Sequence, residues 1–163
     1  MGNAFDGGPS LLRMAETDIR ELTTEAEWLE VFPVLVELRD HLTEETYLEY
    51  LREMREEGYR LFAVFEDEGE SEEVIAVAGV GIRTNFYNGR HLFVFDLVTR
   101  PDRRSEGHGG RLMGFLDDWA RERDCESITL ESGLWRDDAH RFYEDRLGMD
   151  RYCYTFKKTF EEG

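Results

Sequence analysis

The chain has 163 residues, 40% of them hydrophobic, and carries 37 acidic against 20 basic residues, which gives a net charge of −17. This length predicts one domain with a real hydrophobic core. The charge argues against nucleic acid as a partner, because an acidic surface repels phosphate and lacks the counterion release that drives non-specific binding. Only two cysteines are present, too few for a disulfide scaffold or a zinc cluster, so we expect no metal.

No apolar run reaches the length of about 18 residues that a membrane-spanning helix needs. The first residues also lack the charged-then-apolar order of a signal peptide. We therefore expect a cytoplasmic protein without a membrane partner. The sequence Gly7-Gly8-Pro9-Ser10 predicts a flexible N-terminus over residues 1–12, and residues 13–163 then form the single domain.

The first elements are a strand and two helices. Residues 18–23 alternate as a strand, and Thr24 with Glu27 forms a capping box that opens a helix. Pro33 predicts a bend or break in that helix. A second amphipathic helix ends at Gly58. The predicted buried face of the first helix is Trp28, Val31, Phe32, Leu35, Leu38 and Leu42, and the second is marked by Tyr47, Tyr50, Leu51 and Met54.

Three apolar runs joined by short turns then predict an antiparallel meander. A strand, helix, strand crossover follows and implies a parallel pair, so the predicted sheet is mixed. The predicted segments are strands over 61–65, 74–82 and 92–99, a helix over 109–123, a strand over 127–132, a helix over 138–147 and a last strand over 152–160.

A glycine-rich stretch from Arg104 to Gly110 lies between the third strand of the meander and the helix after it. Its glycines let backbone N–H groups approach an anion, and the start of the helix adds unpaired N–H groups and the positive end of its dipole. The stretch therefore predicts a cradle for a pyrophosphate, with a plain strand-to-helix turn as the structural alternative. It is not a P-loop, since no Gly-Lys-Ser/Thr follows.

The order Arg-x-x-Gly-x-Gly, here Arg104 to Gly109, resembles the acetyl-CoA signature of the GNAT N-acetyltransferase superfamily. The resemblance covers about residues 18 to 160. Many members carry Asn-x-x-Ala-x-x-x-Tyr near the C-terminus, where Ala139 and Tyr143 match and Arg136 stands at the Asn position. The resemblance implies an α/β (α+β) fold with a mixed sheet of about six to seven strands and about four helices. It also implies that the first two helices shape the acceptor pocket.

The implied activity is an acetyl-CoA-dependent transfer of an acetyl group to a primary amine of a small molecule or a protein. In such enzymes the fourth strand pairs with the pantetheine arm through its backbone, and the glycine-rich loop holds the pyrophosphate. The matching residues are Leu97, Val98 and Thr99 for the strand, and Arg104, Ser105, Glu106, Gly107, His108, Gly109 and Gly110 for the loop.

Three side chains are candidates for proton transfer. Tyr143 matches the tyrosine that protonates the departing CoA sulfur in many relatives, and a phenol is protonated at neutral pH. Glu131 resembles the strand-five glutamate that serves as base in some relatives, and Asp96 has apolar neighbours that are expected to raise its pKa. Each also has a structural interpretation, a packed aromatic for Tyr143 and a salt-bridged strand residue for each carboxylate.

Two other functions compete with the enzyme. One is a non-catalytic acyl-CoA-binding regulatory module on the same fold, since fold does not fix function. The other is an assembly subunit, which would not need the glycine-rich loop. The aromatic run from Tyr152 to Phe156 is compatible with a homodimer, because many relatives dimerise through their C-terminal strands.

The excess of acidic residues has two interpretations. It is typical of salt-adapted, halophilic proteins, in which acidic groups cover the surface and salt screens their repulsion. It is also compatible with an acidic cleft that recruits a polyamine or another cationic amine. Acidic residues are spread over helices and loops, as in residues 66–73, and this spread favours salt adaptation.

We predict that the purified protein loses helical circular dichroism when salt is dialysed away, because unscreened repulsion destabilises the compact state. The measurement is the far-UV spectrum along a dilution series of potassium chloride. An unchanged spectrum and thermal midpoint at about 50 mM salt would contradict salt adaptation.

Overall fold

The computed structural model describes residues 17–161, so the predicted flexible start over residues 1–12 lies outside the described residues. The chain forms two compact units, the first ending at Thr129 and the second beginning at Leu130. A single domain over residues 13–163 stays a prediction. No helix among the described residues is long and apolar enough to cross a bilayer.

The first unit is built on a mixed sheet with strand order β1-β2-β3-β4-β5, in which β1 to β4 pair as antiparallel neighbours. The predicted meander is confirmed. The elements are β1 (Thr17–Leu22), α1 (Glu25–Leu35), α2 (Glu44–Glu56), β2 (Arg60–Asp67), β3 (Glu72–Asn85), β4 (Gly89–Thr99), a 3-10 turn (Pro101–Arg103), α3 (His108–Arg121) and β5 (Ser127–Leu130), whose last residue begins the second unit.

The centre of the sheet is buried on both faces. Residues 61–65 of β2 are all buried, as expected for a continuous apolar run with helices on each side. Alternation along the strand sends Phe62 towards α3, where its ring lies 5.4 Å from those of Phe115 and Trp119. Leu61 and Phe65 point the other way and join the core formed with α1 and α2. The two helical layers are thus anchored on one strand.

The capping box of α1 forms as predicted. The Thr24 hydroxyl accepts from the Glu27 backbone N–H, and the Glu27 carboxylate accepts from the Thr24 N–H. The helix ends at Leu35, soon after Pro33, in agreement with the predicted break, and the predicted helical face does not extend further. Pro33 lacks the N–H that would continue the hydrogen-bond ladder, so the helix stops soon after it. The predicted core residues Leu38 and Leu42 follow the helix and still pack half-buried against the core.

The second unit contains α4 (Asp137–Arg141), which continues into a π-helical turn (Phe142–Arg146) and then Gly148 with φ +64°. The predicted helix over 138–147 is therefore present in two parts. Arg136 is the N-cap of α4 and makes no side-chain capping bond there. An Asn at this position has a carbonyl that accepts from the first helical N–H groups, which a guanidinium cannot do.

The predicted last strand over 152–160 is wrong for the described residues, and the sheet has five strands instead of six to seven. Alternating aromatic residues form a stable strand only where one face is buried and an edge is available for pairing. Here residues 151–161 are all exposed, including the aromatic positions and Cys153. The α+β fold class and the four helices are as predicted.

A β-bulge interrupts the pairing of β3 with β4. Gly79 lies opposite Asp96 and Val80 lies opposite Val94, so Phe95 is the extra residue of β4. A bulge of this kind increases the local twist and redirects the strand beyond it. Gly79 is required here because a Cβ at this position would lie 1.6 Å from the hydroxyl oxygen of Tyr59.

We predict that Gly79→Ala destabilises the protein by about 1–3 kcal/mol, because the new methyl group forces the buried Tyr59 ring to move. The matched control is Gly114→Ala in α3, where an added Cβ meets nothing within 4 Å. The control is expected to gain up to about 1 kcal/mol of helix propensity. Urea denaturation measures both, and equal midpoints for the two variants would contradict the packing described here.

Candidate functional site

The glycine-rich loop forms an anion-binding geometry at the start of α3. Gly107 is the N-cap with φ +87°, Ser105 has φ +67°, and no side chain caps the helix. The N–H groups of His108, Gly109 and Gly110 have no carbonyl one turn earlier to pair with. Across residues 17–161 they also donate to no backbone carbonyl. These donors and the positive end of the helix dipole are available to one anion.

Some charged side chains next to the loop are bonded within the protein, and one arginine is not paired with a described carboxylate. Arg103 donates to both oxygens of Glu66 at 2.8 Å and to Glu106 at 2.9 Å. Hydrogen bonds from His108 and Arg103 lower the pKa of the Glu106 carboxyl. Arg104 is exposed and forms no ion pair with any described residue. Glu106 and His108 thus hold each other's side chains, while Arg104 is left for an anion.

Arg103 is a residue that the sequence pattern did not reveal. It follows Pro101 and is 18% exposed at its side chain, and it fixes the loop to Glu66 of β2 and Glu73 of β3. The only sequence feature that points to a role for Arg103 is the acidic segment over residues 66–73, because its negative charges favour a nearby cation. Arg103 therefore anchors the loop to the sheet, and the anion-binding role of the neighbouring Arg104 stays a prediction.

The predicted pantetheine segment lies on β4 just beyond the bulge. Leu97, Val98 and Thr99 pair with β3 on one edge. On the other side, β5 enters beside the start of β4, where the Glu126 N–H donates to the Arg90 carbonyl at 2.7 Å. At about 3.3 Å per residue, the four residues of β5 cover about 13 Å, whereas Leu97 lies about 23 Å beyond Arg90. The outer edge of residues 97–99 is thus not covered by β5.

Asp96 lies at the bulge with both carboxylate oxygens in hydrogen bonds. Oδ1 accepts from Arg39 Nε at 2.8 Å and Oδ2 accepts from the Tyr59 hydroxyl at 2.8 Å, while Arg39 Nη2 donates to the Phe95 carbonyl at 2.9 Å. The Asp96 side chain is 11% exposed. Burial, and then the charge of Asp96, raise the pKa of Tyr59 well above its ordinary value, so its hydroxyl stays a donor.

A pocket of about 180 Å³ lies against this carboxylate, between the first two helices and the sheet. Its walls are mostly leucine, methionine and tyrosine side chains, and its charged groups are Arg39 and Asp96. The lining residues are Leu35, Arg39, Leu42, Tyr47, Tyr50, Leu51, Met54, Tyr59 and Asp96. An apolar cavity with a few convergent polar groups is typical of a small-molecule site.

The second unit contains the other two predicted proton-transfer residues. Tyr143 is half-buried in the π-helical turn beside Phe142, with ring centroids 5.8 Å apart, and its carbonyl accepts from the Met149 N–H at 2.9 Å. Glu131 is exposed and accepts a hydrogen bond from the Thr155 hydroxyl. Glu131 therefore has access to water, whereas Asp96 is held by two fixed donors.

We predict that wild-type protein loses more stability than Tyr59→Phe as pH rises above about 10. The pKa of Tyr59 is higher in the folded protein than in the unfolded chain, so the Tyr59 hydroxyl contributes its full stability below the unfolded pKa. This contribution is lost as the pH rises from the unfolded towards the folded pKa. Both proteins keep Tyr47, so the difference isolates Tyr59. Urea midpoints across this pH range give the measurement, with the exposed Tyr50→Phe as control. Parallel curves for wild type and Tyr59→Phe would contradict the buried hydrogen bond.

Comparison with known proteins identifies relatives of this chain. The model of the Acetyltransferase (GNAT) family matches residues 20–149. The uncharacterized N-acetyltransferase YhdJ of Bacillus subtilis (strain 168) is 40% identical over 141 residues, which are 86% of this chain and 96% of YhdJ. The predictions of a GNAT fold and of an N-acetyltransferase enzyme are confirmed at this level.

Solved structures share the fold at lower identity. A transcriptional regulator from Bacillus halodurans C-125 has a TM-score of 0.74 and 24% identity, covering 89% of this chain and 100% of its own. The aminoglycoside N-acetyltransferase AAC(6')-Iy, solved in complex with CoA, has a TM-score of 0.72 and 16% identity. The match covers 91% of this chain and 95% of that structure's chain. With the family match over residues 20–149, these findings lead to one conclusion: the chain belongs to the acetyltransferase (GNAT) family.

Proposed function

We propose that this protein is an acetyl-CoA-dependent N-acetyltransferase that acetylates a primary amine of a small molecule or a protein. The observation that carries the proposal is the set of unpaired N–H groups at the start of α3, with Arg104 beside them and free of ion pairs with described residues. Family membership supports acyl transfer, and the related AAC(6')-Iy binds CoA on the same fold.

The residues present fit acetyl-CoA. In the proposed complex the pyrophosphate accepts hydrogen bonds from the loop N–H groups and a charge-assisted contact from Arg104. The loop residues are Arg104, Ser105, Glu106, Gly107, His108, Gly109 and Gly110. The edge of Leu97, Val98 and Thr99 that β5 leaves uncovered offers backbone groups to the amide-bearing pantetheine arm, as an added strand would use them.

The proposed reaction is a direct attack of a neutral amine on the thioester carbonyl. A C–N bond forms, the C–S bond breaks, and the departing thiolate takes a proton from the Tyr143 hydroxyl. A backbone N–H near Leu97 polarises the carbonyl, so no metal ion is required for that step. In this proposal the cosubstrate supplies the activated acetyl group, and the chain positions it and moves two protons.

Two carboxylates remain candidates for accepting the amine proton, and we rank Glu131 first. Its exposed carboxylate can act directly or through a water molecule. Each oxygen of the Asp96 carboxylate already accepts a hydrogen bond, one from Arg39 and one from Tyr59, so we rank Asp96 second. Asp96 is better suited to hold the amine than to deprotonate it.

A regulatory acyl-CoA-binding module is the second candidate. The observation in its favour is the shared fold with the transcriptional regulator from Bacillus halodurans C-125. Turnover separates the two functions, because a module binds acetyl-CoA and releases no free CoA thiol with any amine. Contact between two copies through residues 152–156 stays a prediction for either function.

We predict that Gly109→Val raises the KM for acetyl-CoA about tenfold, equivalent to about 1.4 kcal/mol of lost binding. A branched side chain in the first turn of α3 crowds the anion and its N–H donors. The control is Gly114→Val on the same helix, where an added Cβ meets nothing within 4 Å. Steady-state kinetics with thermal midpoints of both variants check the prediction, and equal KM values would contradict the cradle.

We predict that Tyr143→Phe lowers kcat by about a hundredfold or more while the KM for acetyl-CoA changes little, because a general acid acts only in the transition state. The alkaline limb of the kcat profile should also change shape. The control is Phe142→Leu, which alters the neighbouring ring in the same turn. An unchanged kcat across pH in Tyr143→Phe would end its assignment as the acid.

A further inference from the structure

We propose that the pocket beside Asp96 selects an apolar monoamine, with a body about the size of one aromatic ring and no carboxylate of its own. This inference rests on the proposed acetyl transfer and names the substrate class of that reaction. It follows from the pocket's walls, its volume and the charges at Asp96, taken in turn below.

The walls of the pocket are apolar. Leu35, Leu42, Leu51 and Met54 contribute only hydrocarbon and thioether surface. The Tyr47 hydroxyl is already used, since it donates to the Trp28 carbonyl at 2.7 Å. A polyhydroxylated aminosugar would leave most of its hydroxyl groups without partners in such walls, and each buried unsatisfied hydroxyl group weakens binding. The walls therefore favour an amine on a hydrocarbon body.

The volume limits the size of that body. The pocket encloses about 180 Å³, and a protein cavity of about 150 Å³ holds a benzene molecule. A phenyl ring or a branched alkyl chain of similar size therefore fits, together with a short linker to the amine. Tyr50 is 56% exposed at the wall, which leaves this side of the pocket accessible from solvent.

The charges select an amine over a zwitterion. An ionised carboxylate accepts about four hydrogen bonds, and among the described residues Asp96 receives two, from Arg39 and Tyr59. Its remaining lone pairs can bind an ammonium group. Arg39 pairs with the same carboxylate at 2.8 Å, and its side chain is 41% exposed, so its remaining N–H groups can bind water and do not require a ligand carboxylate.

The position of the pocket also suits the reaction. Asp96 directly precedes the segment Leu97–Thr99, which we assign to binding of the pantetheine arm. An amine held at Asp96 therefore lies next to the strand residues that bind the acyl donor. The Asp96 carboxylate stabilises the bound ammonium form and the apolar walls disfavour it, so the amine proton passes to one of the two candidate bases before the attack.

The experiment compares three acceptors with the full-length protein in high potassium chloride. These are 2-phenylethylamine, phenylalanine, which adds a carboxylate to the same body, and the aminoglycoside kanamycin. Release of the CoA thiol gives kcat/KM for each, and we expect 2-phenylethylamine to exceed both others at least about tenfold. A preference for kanamycin or for phenylalanine would overturn the inference and leave acetyl transfer intact.

Two variants test whether the amine binds in this pocket. Met54→Gln should raise the KM for 2-phenylethylamine about tenfold and leave the KM for acetyl-CoA unchanged. The matched control is Leu48→Gln on the same helix, which is half-buried against the core and does not line the pocket. If both variants or neither raised the amine KM, the pocket would not be the amine site.

Binding of the amine alone separates this inference from the proposed function. Calorimetric titration of 2-phenylethylamine into the protein requires no acetyl-CoA and no turnover. If acetyl-CoA neither binds nor reacts, the proposed function fails, and the titration still decides the pocket. Heat of binding that is lost in Met54→Gln and kept in Leu48→Gln supports the inference, and the absence of binding to the wild type overturns it.

Discussion

The buried carboxylate of Asp96 is the constraint on which the rest of the first unit depends. A charge with 11% exposure is costly unless donors compensate it, and Arg39 and Tyr59 do so at 2.8 Å each. Arg39 follows α1 and Tyr59 follows α2, so one carboxylate joins both helices to the sheet. Gly79 on the neighbouring strand leaves the space that the Tyr59 ring occupies. Removing Arg39 leaves the Asp96 charge without its cation, removing Tyr59 leaves one carboxylate oxygen without its donor, and replacing Gly79 creates a clash.

The same strand brings the two halves of the proposed reaction together. The bulge at Phe95 redirects β4, and the edge over residues 97–99 continues past the end of β5. Beyond it, Arg103 fixes the turn before α3 to Glu66, so the helix presents its first N–H groups with Arg104 beside them. The acyl donor is assigned to the strand edge and the helix start, and the amine to the pocket at Asp96. Both assignments lie within the first unit.

Local features and the pairing of consecutive strands were predictable from sequence, whereas side-chain contacts between distant segments and the last strand were not. The capping box at Thr24 and the position of the glycine-rich loop before α3 depend on neighbours in the chain, and both are as predicted. The early end of α1 after Pro33 is local too, but the hydrophobic spacing suggested a longer helix. The strand predicted over 152–160 depends on a pairing edge that the alternation of residues cannot specify. Arg39 and Asp96 are 57 residues apart, and nothing in either segment predicts their contact.

The measurement that tests acetyl-CoA binding at the start of α3 most directly is the thermal midpoint with and without acetyl-CoA in high potassium chloride. A ligand bound only by the folded state raises stability by mass action, about 2.7 kcal/mol at a hundredfold excess over its dissociation constant. We expect a clear rise for the wild type that is reduced in Arg104→Gln and abolished when Gly107 and Gly109 are both replaced by valine. No shift of the wild type at millimolar acetyl-CoA would contradict the assignment of the cradle and of the reaction that depends on it.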